Sequence, residues 1–280
     1  MNRIDALFQR LRSEGARALM PFLTAGDPDL ATTASLIDEI TTRGAHLVEI
    51  GVPYSDPIAD GPVIAESYTR ALKRGIKLEA IFDTVRSLRA ERIGSALTAA
   101  PLVTMVSYAI ALRRGVESYL DLAAASGIDG LIVPDLPFEE AEGLLKQASK
   151  RDLKLIQLVT PTTPRDRAVR IAATSTGFVY YVSVAGLTGE RAALPAELAE
   201  NVSWLRTQTH LPICIGFGIA GADQIRALAP VADGLIVGSA VVRRIAAAGS
   251  KGKAELVREI GDFVAELAAA LEQSRLSLNE

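Results

Sequence analysis

Three carboxylates stand close together in residues 48–62, "VEIGVPYSDPIADGP": Glu49 inside an apolar run, and Asp56 and Asp60 in the Pro- and Gly-rich segment that follows. An ionised group among Val, Ile and Gly costs several kcal/mol when it is buried without a partner, so such a carboxyl keeps its proton to higher pH instead. A carboxyl poised in that way suits general acid–base work. A structural ion pair is the alternative for Glu49, and turn formation is the alternative for each loop aspartate. Farther along, "GFGIAGAD" (216–223) and "VGSAVVRR" (237–244) are two Gly-rich turns that each lead into a helical pattern, and "GLTG" (186–189) is a third Gly-rich loop. Backbone N–H groups at strand-to-helix turns bind phosphate. Together with Ser239, these turns point to a phosphorylated small molecule.

The elements that must position these groups are short apolar runs bounded by Gly, Pro or Asp. In chain order they are "ARALMPFLTAG", "HLVEIGV", "PLVTMVSY", "GLIVPDL", "KLIQLVTP", "GFVYYVSV", "PICIGFGI" and "DGLIVGSAVV". Amphipathic stretches of helical length separate them, among them 29–43, 79–92, 139–151 and 198–209. The runs are nearly continuous in apolar residues, as expected of strands covered on both faces. Eight strand-helix units predict an α/β chain folded as a single-domain (β/α)8 TIM barrel over residues 1–280. The start, "MNRIDALFQRLRSEG", reads as an extra N-terminal amphipathic helix rather than a signal peptide. A doubly wound sheet is the alternative, but "FLTAGDPD" after the first run is not its Gly-rich fingerprint.

In a barrel the chemistry lies at the carboxyl ends of the strands, so position along each run sorts the candidates. Glu49 falls late in the second run, where its side chain points either into the lumen or out against the helices. His46 and His210 precede their runs and so fall at the opposite face, which disfavours a metal-dependent aldolase and leaves no metal site. Lys154 opens the fifth run, again at the wrong end, which disfavours a Schiff base. What remains is metal-free acid–base chemistry on a phosphate ester.

Composition narrows the partners. A net charge of −3 carries no signal for nucleic acid. The uncharged stretch from Ala96 to Leu112 falls short of the about 20 residues of a spanning helix and contains Pro101, so no membrane span is expected. The lone Cys214 permits no intrachain disulfide, reads as a packed hydrophobe, and fits a reducing, cytoplasmic compartment.

The motifs "PFLTAGDPD", "VEIGVPYSDPIADGP", "VPDLPFEE", "YYVSVAGLTG", "IGFGI" and "DGLIVGSAVV" resemble, in order and spacing, the tryptophan synthase alpha subunit family, and the similarity runs from Arg3 to about Leu267. The resemblance implies cleavage of indole-3-glycerol phosphate into indole and glyceraldehyde 3-phosphate, with no cofactor in this chain. It also implies a pyridoxal-phosphate-dependent beta subunit as partner, in an alpha2beta2 heterotetramer. Glu49 matches the family's acid–base and Asp60 the aspartate that receives the indole N–H. Phe22, Ile64 and Tyr180 match residues near the substrate, and Gly189, Gly218, Gly238 and Ser239 match the phosphate-binding turns. Pro53 and Asp56 match the loop that faces the beta subunit, and Asp135 a loop linked to closure. On this pattern Glu49, in an apolar wall, holds its proton near neutral pH, while Asp60, on a wetter loop, stays ionised. The departure is in "PLVTMVSYAIALRRG", where Ser107 stands at a position often occupied by Tyr, and Ala109 and Ile110 replace a polar turn. Two other functions compete: a stand-alone lyase of the same fold, which needs no partner, and a regulatory barrel subunit that has lost catalysis.

Overall fold

The computed structural model describes residues 1–57, 60–183, 196–216, 218–248 and 251–278. Eight strands pair in parallel in chain order: β1 (Ala18–Thr24), β2 (Val48–Gly51), β3 (Leu102–Met105), β4 (Gly130–Ile132), β5 (Lys154–Val159), β6 (Val179–Val182), β7 (Ile213–Gly216) and β8 (Gly234–Val237). β8 closes on β1, with Ala18 opposite Gly234 and Met20 opposite Ile236, which rules out the open doubly wound sheet. The helices are α1 (Arg3–Ser13), α2 (Leu30–Thr42), α3 (Pro62–Lys73), α4 (Leu78–Glu91), α5 (Ala96–Ala99), α6 (Tyr108–Arg114) and α7 (Val116–Ala125). They continue with α8 (Phe138–Ser149), α9 (Arg165–Ala173), α10 (Ala196–Arg206), α11 (Ala222–Leu228), α12 (Ser239–Ala247) and α13 (Lys253–Leu278).

Each apolar run of the sequence holds one strand, and the four helical stretches match α2, α4, α8 and α10 to within three residues at either end. Capping explains the sharpness of the first: Asp29 stops short of α2 and its Oδ1 accepts the Thr32 N–H at 2.7 Å. The uncharged stretch 96–112 resolves into α5, β3 and the start of α6. Among the described residues no helix is long and apolar enough to cross a membrane.

The side-chain period of two divides the sheet into two cores. Leu19, Leu23, Val48 and Ile50 face outward into the layer shared with the helices. Met20, Phe22, Leu47, Val103, Ile132, Ile156, Tyr180 and Ile236 face the lumen. The extra N-terminal helix belongs to the second core, because Ile4, Leu7, Phe8 and Leu11 of α1 seal the amino-terminal mouth. Ile4 lies against Gly130 and Gly177, where an added Cβ would come within 3.0 and 3.1 Å of it. Phe8 packs on Phe178 with ring centroids 5.8 Å apart.

At the other mouth α3 is pinned to the end of β1. The hydroxyls of Thr24 and Ser67 lie 2.6 Å apart, and Arg70 donates twice to Asp27, at 3.1 and 2.7 Å. Gly61 and Pro62 start the helix, with Pro at a position where its missing N–H costs nothing. The anchored helix turns Ile64 and Tyr68 into the lumen core.

Candidate active site

Glu49 sits on the lumen side of β2, in register with Phe22 on β1 and Val103 on β3. Its parity with Leu47 settles the direction that the sequence left open. The residue is 1% exposed, its Oε2 has no hydrogen-bond partner, and among the described residues it makes no ion pair. Burial, and secondarily the charge of Asp60, pushes its carboxyl up to about 8. Glu49 is therefore mostly protonated at neutral pH, as expected of a general acid.

Asp60 follows on the loop between β2 and α3, where it is partly exposed and so wetter than Glu49. Burial raises its carboxyl to about 6, a hydrogen bond from Tyr54 works against that rise, and the charge of Asp135 adds to it. The Tyr54 hydroxyl donates to Asp60 Oδ2 at 3.2 Å. Tyr54 in turn packs on Tyr68 with centroids 5.4 Å apart and planes at 48°. Asp60 remains mostly ionised at pH 7, so the two carboxyls hold opposite protonation states across the neutral range.

Tyr68 is fully buried, and its hydroxyl has no partner. It lies against Gly51, where an added Cβ would come 2.8 Å from the Tyr68 hydroxyl and 2.4 Å from Phe22 Cζ. Glycine at 51 thus makes room for the Phe22 ring beside Glu49. Ile64 is buried one turn before Tyr68. Tyr180 lies opposite Cys214 in the register, and its hydroxyl fills the space that a side chain at Gly216 would take, 2.3 Å from the position of an added Cβ. Phe22, Ile64, Tyr68 and Tyr180 share the lumen core, and Glu49 stands level with Phe22 in it.

Of the turns expected to bind phosphate, Gly218 lies just past β7 with φ +80°, a conformation that favours glycine. Gly238 caps α12 and Ser239 is its first residue, so the opening N–H groups of that helix have no intrahelical acceptors. Gly189 lies outside the described residues. Pro53, matched to a partner-facing loop, is buried, whereas Asp56 is exposed and accepts from Ser55 Oγ at 2.5 Å. Ser107, the departure just past β3, caps α6 and donates to Asp135 Oδ2 at 2.6 Å, while Tyr108 N–H donates to Oδ1 at 2.7 Å. That serine ties together two loops at the carboxyl ends of the strands.

The residues set aside stay away from this mouth. His46 accepts the Leu19 N–H at the amino-terminal side, and burial first, with Arg10 adding, lowers it to about 4. Lys154 pairs with Asp5 of α1 at 2.5 Å. Cys214, in contrast, is buried in the lumen core opposite Tyr180, as a packed hydrophobe. Sequence reasoning missed Tyr54 and Tyr68. Tyr68 carried a readable signal, since it stands four residues after Ile64 and so on the same face of α3. Tyr54 carried none, because only the folded loop brings its hydroxyl back onto Asp60.

Residues 8–272 match the model of the family described as Tryptophan synthase alpha chain. A tryptophan synthase alpha chain of Rhodopirellula baltica is 53% identical over 279 residues, covering 97% of this chain and 99% of that one. That of Clostridium kluyveri is 42% identical over 272 residues, covering 97% and 100%. Among solved structures, the tryptophan synthase subunit alpha of Legionella pneumophila superposes with a TM-score of 0.88 at 32% identity, covering 98% of this chain and 99% of that chain. A chain of Mycobacterium tuberculosis tryptophan synthase in its aminoacrylate-bound form superposes with 0.82 at 28% identity, covering 97% and 100%. With a closed barrel that carries Glu49 on its lumen side and Asp60 on the loop that follows, and with these relatives, this chain belongs to the tryptophan synthase alpha chain family.

Proposed function

We propose that this chain is the alpha subunit of tryptophan synthase and performs the lyase step of tryptophan biosynthesis, the retro-aldol cleavage of indole-3-glycerol phosphate. Protonated Glu49 delivers its proton to the ring carbon that bears the glycerol phosphate, and the positive charge that develops at the indole nitrogen is received by ionised Asp60. The Glu49 carboxylate then takes the proton of the adjacent side-chain hydroxyl as the carbon–carbon bond breaks. Its electron pair returns to the ring, giving indole and glyceraldehyde 3-phosphate, and Glu49 ends protonated as it began. The ring acts as its own electron sink, so no cofactor of this chain enters a step.

The observation that carries this reading is the Glu49 carboxyl, held in the lumen without a hydrogen-bond partner on Oε2 and with its proton retained to about pH 8. A purely regulatory barrel has no use for such a group. Phe22, Ile64 and Tyr180 supply an apolar slot for the indole, and the turns at Gly218, Gly238 and Ser239, with Gly189, hold the phosphate through backbone N–H groups. Exposed Asp56 belongs to the surface that meets a pyridoxal-phosphate-dependent beta subunit in an alpha2beta2 assembly, with buried Pro53 shaping the loop behind it. The single buried Cys214 suits the cytoplasm.

The test is indole release from indole-3-glycerol phosphate by the purified chain, alone and with a tryptophan synthase beta subunit, beside Glu49→Gln. Slow release that depends on Glu49 and rises sharply with the partner supports the reading. Fast release that ignores the partner replaces it with the stand-alone lyase, and full turnover by Glu49→Gln overturns the assignment of the acid.

A further inference from the structure

We infer that Tyr54 is a positioning residue for this reaction, its hydroxyl holding Asp60 in place and its ring locked by Tyr68; the inference rests on the role given to Asp60 above. Tyr54 Oη donates to Asp60 Oδ2 at 3.2 Å, and among the described residues it is the one donor recorded for that side chain. The other oxygen, Oδ1, is engaged by no described residue and is left for the indole N–H. A length of 3.2 Å is long for an O–H···O bond, and such bonds tighten when charge develops in the complex.

The hydroxyl acts alone against its surroundings. The titratable groups that face Asp60 are Glu49 from β2, Tyr68 from α3, Asp135 from the loop after β4 and Tyr180 from β6, none of them a cation. Of the two carboxyls, Glu49 is still protonated where Asp60 titrates, so the charge that opposes ionisation of Asp60 is that of Asp135, and burial opposes it more strongly. The Tyr54 hydroxyl is the group that favours the ionised form, because a donated hydrogen bond stabilises a carboxylate more than a carboxylic acid. Its aim is fixed through a chain of contacts: Thr24 of β1 holds Ser67 of α3 at 2.6 Å, α3 carries buried Tyr68, and Tyr68 carries the Tyr54 ring at 5.4 Å. Half-buried Tyr54 thereby hangs from the barrel wall rather than from its own loop.

The experiment compares wild type, Tyr54→Phe, Asp60→Asn and the double variant in complex with the beta subunit. Phe keeps the ring on Tyr68 and removes only the hydroxyl. The acid limb of kcat/KM and the Asp60 carboxyl titration, followed by NMR with labelled aspartate, are both expected to move up by about one pH unit in Tyr54→Phe. Near pH 5 the rate then falls about tenfold, and near pH 8 it is nearly unchanged, as a one-unit shift of a single ionisation requires. Because both variants act through one carboxylate, the double variant should be no slower than Asp60→Asn alone. Superimposable pH profiles and Asp60 titrations in wild type and Tyr54→Phe, with Asp60→Asn inactive, overturn this inference and leave the proposed function standing. A raised KM without a shifted acid limb overturns it as well, since Tyr54 would then touch substrate rather than position Asp60. Wild-type turnover by Asp60→Asn overturns the role of Asp60 itself.

Discussion

Two buried carboxylates at opposite ends of the barrel were put to different uses. Asp129 lies just before β4, at the amino-terminal side, and both of its oxygens are taken. Arg3 of α1 donates to Oδ1 at 2.8 Å, while Arg89 of α4 and the Leu102 N–H donate to Oδ2 at 3.0 and 2.8 Å. The residue therefore staples the plug helix, an outer helix and the sheet. Glu49 is as deeply buried at the other end, yet its Oε2 is left unpartnered and its proton is retained. A buried acid surrounded by donors is a strut, whereas one with an unpartnered oxygen that keeps its proton suits the acid–base role proposed above.

Removing the acidity of Glu49 should have the largest effect. Glu49→Gln is expected to lower indole release by about 10³-fold or more while the variant remains folded, checked by steady-state assay and thermal unfolding; the range follows from general acid catalysis. Next comes the strut. Asp129→Ala leaves Arg89 buried without its counter-charge and should cost about 3–5 kcal/mol in urea unfolding, with kcat of the folded fraction unchanged. A comparable loss of kcat would erase the contrast between the two acids.

A third measurement sharpens the contrast through pH. The Glu49 carboxyl is raised in the folded state from 4.5 to about 8, so between those values the native protein holds a proton that the unfolded chain has released. Stability from this group is fully present below about 4.5 and is lost as pH rises toward 8. Wild type should therefore lose on the order of 3 kcal/mol relative to Glu49→Gln between pH 4.5 and 7, read from denaturant unfolding at each pH. Parallel curves would mean that Glu49 is ionised in the fold. The smallest effect is expected from Gly51→Ala, whose Cβ would press on Phe22 and the Tyr68 hydroxyl. A cost of about 1–3 kcal/mol and a raised KM for substrate should follow from displacing the Phe22 ring.

Much of this site was legible beforehand, and the parts that were not share a cause. Glu49 announced itself because a carboxylate late in an apolar run has few structural reasons to be there, and Gly238 and Ser239 because they close one strand and open a helix. The partner of Asp60 was not legible, because Pro, Gly and Asp mark a turn without saying which side chain folds back onto it, and what aims Tyr54 is Tyr68 on the helix beyond. Ser107 looked like a loss when set against the family pattern. In the fold it joins the loop after β3 to Asp135 after β4, a contact between residues 28 positions apart.

By itself the sequence determined the number and order of the elements, since eight apolar runs alternating with amphipathic stretches are local patterns of hydrophobicity and turn chemistry. It also determined which end of its strand each candidate residue occupies, because chain direction alone orders the residues along a run. Only the tertiary structure decided that Glu49 faces the lumen, that it lacks a partner on Oε2 there, and that Tyr54 returns to Asp60 under the cover of Tyr68. Those outcomes depend on closing the sheet and docking α3 across its mouth, so the desolvation and partners of each carboxyl exist only once distant segments meet.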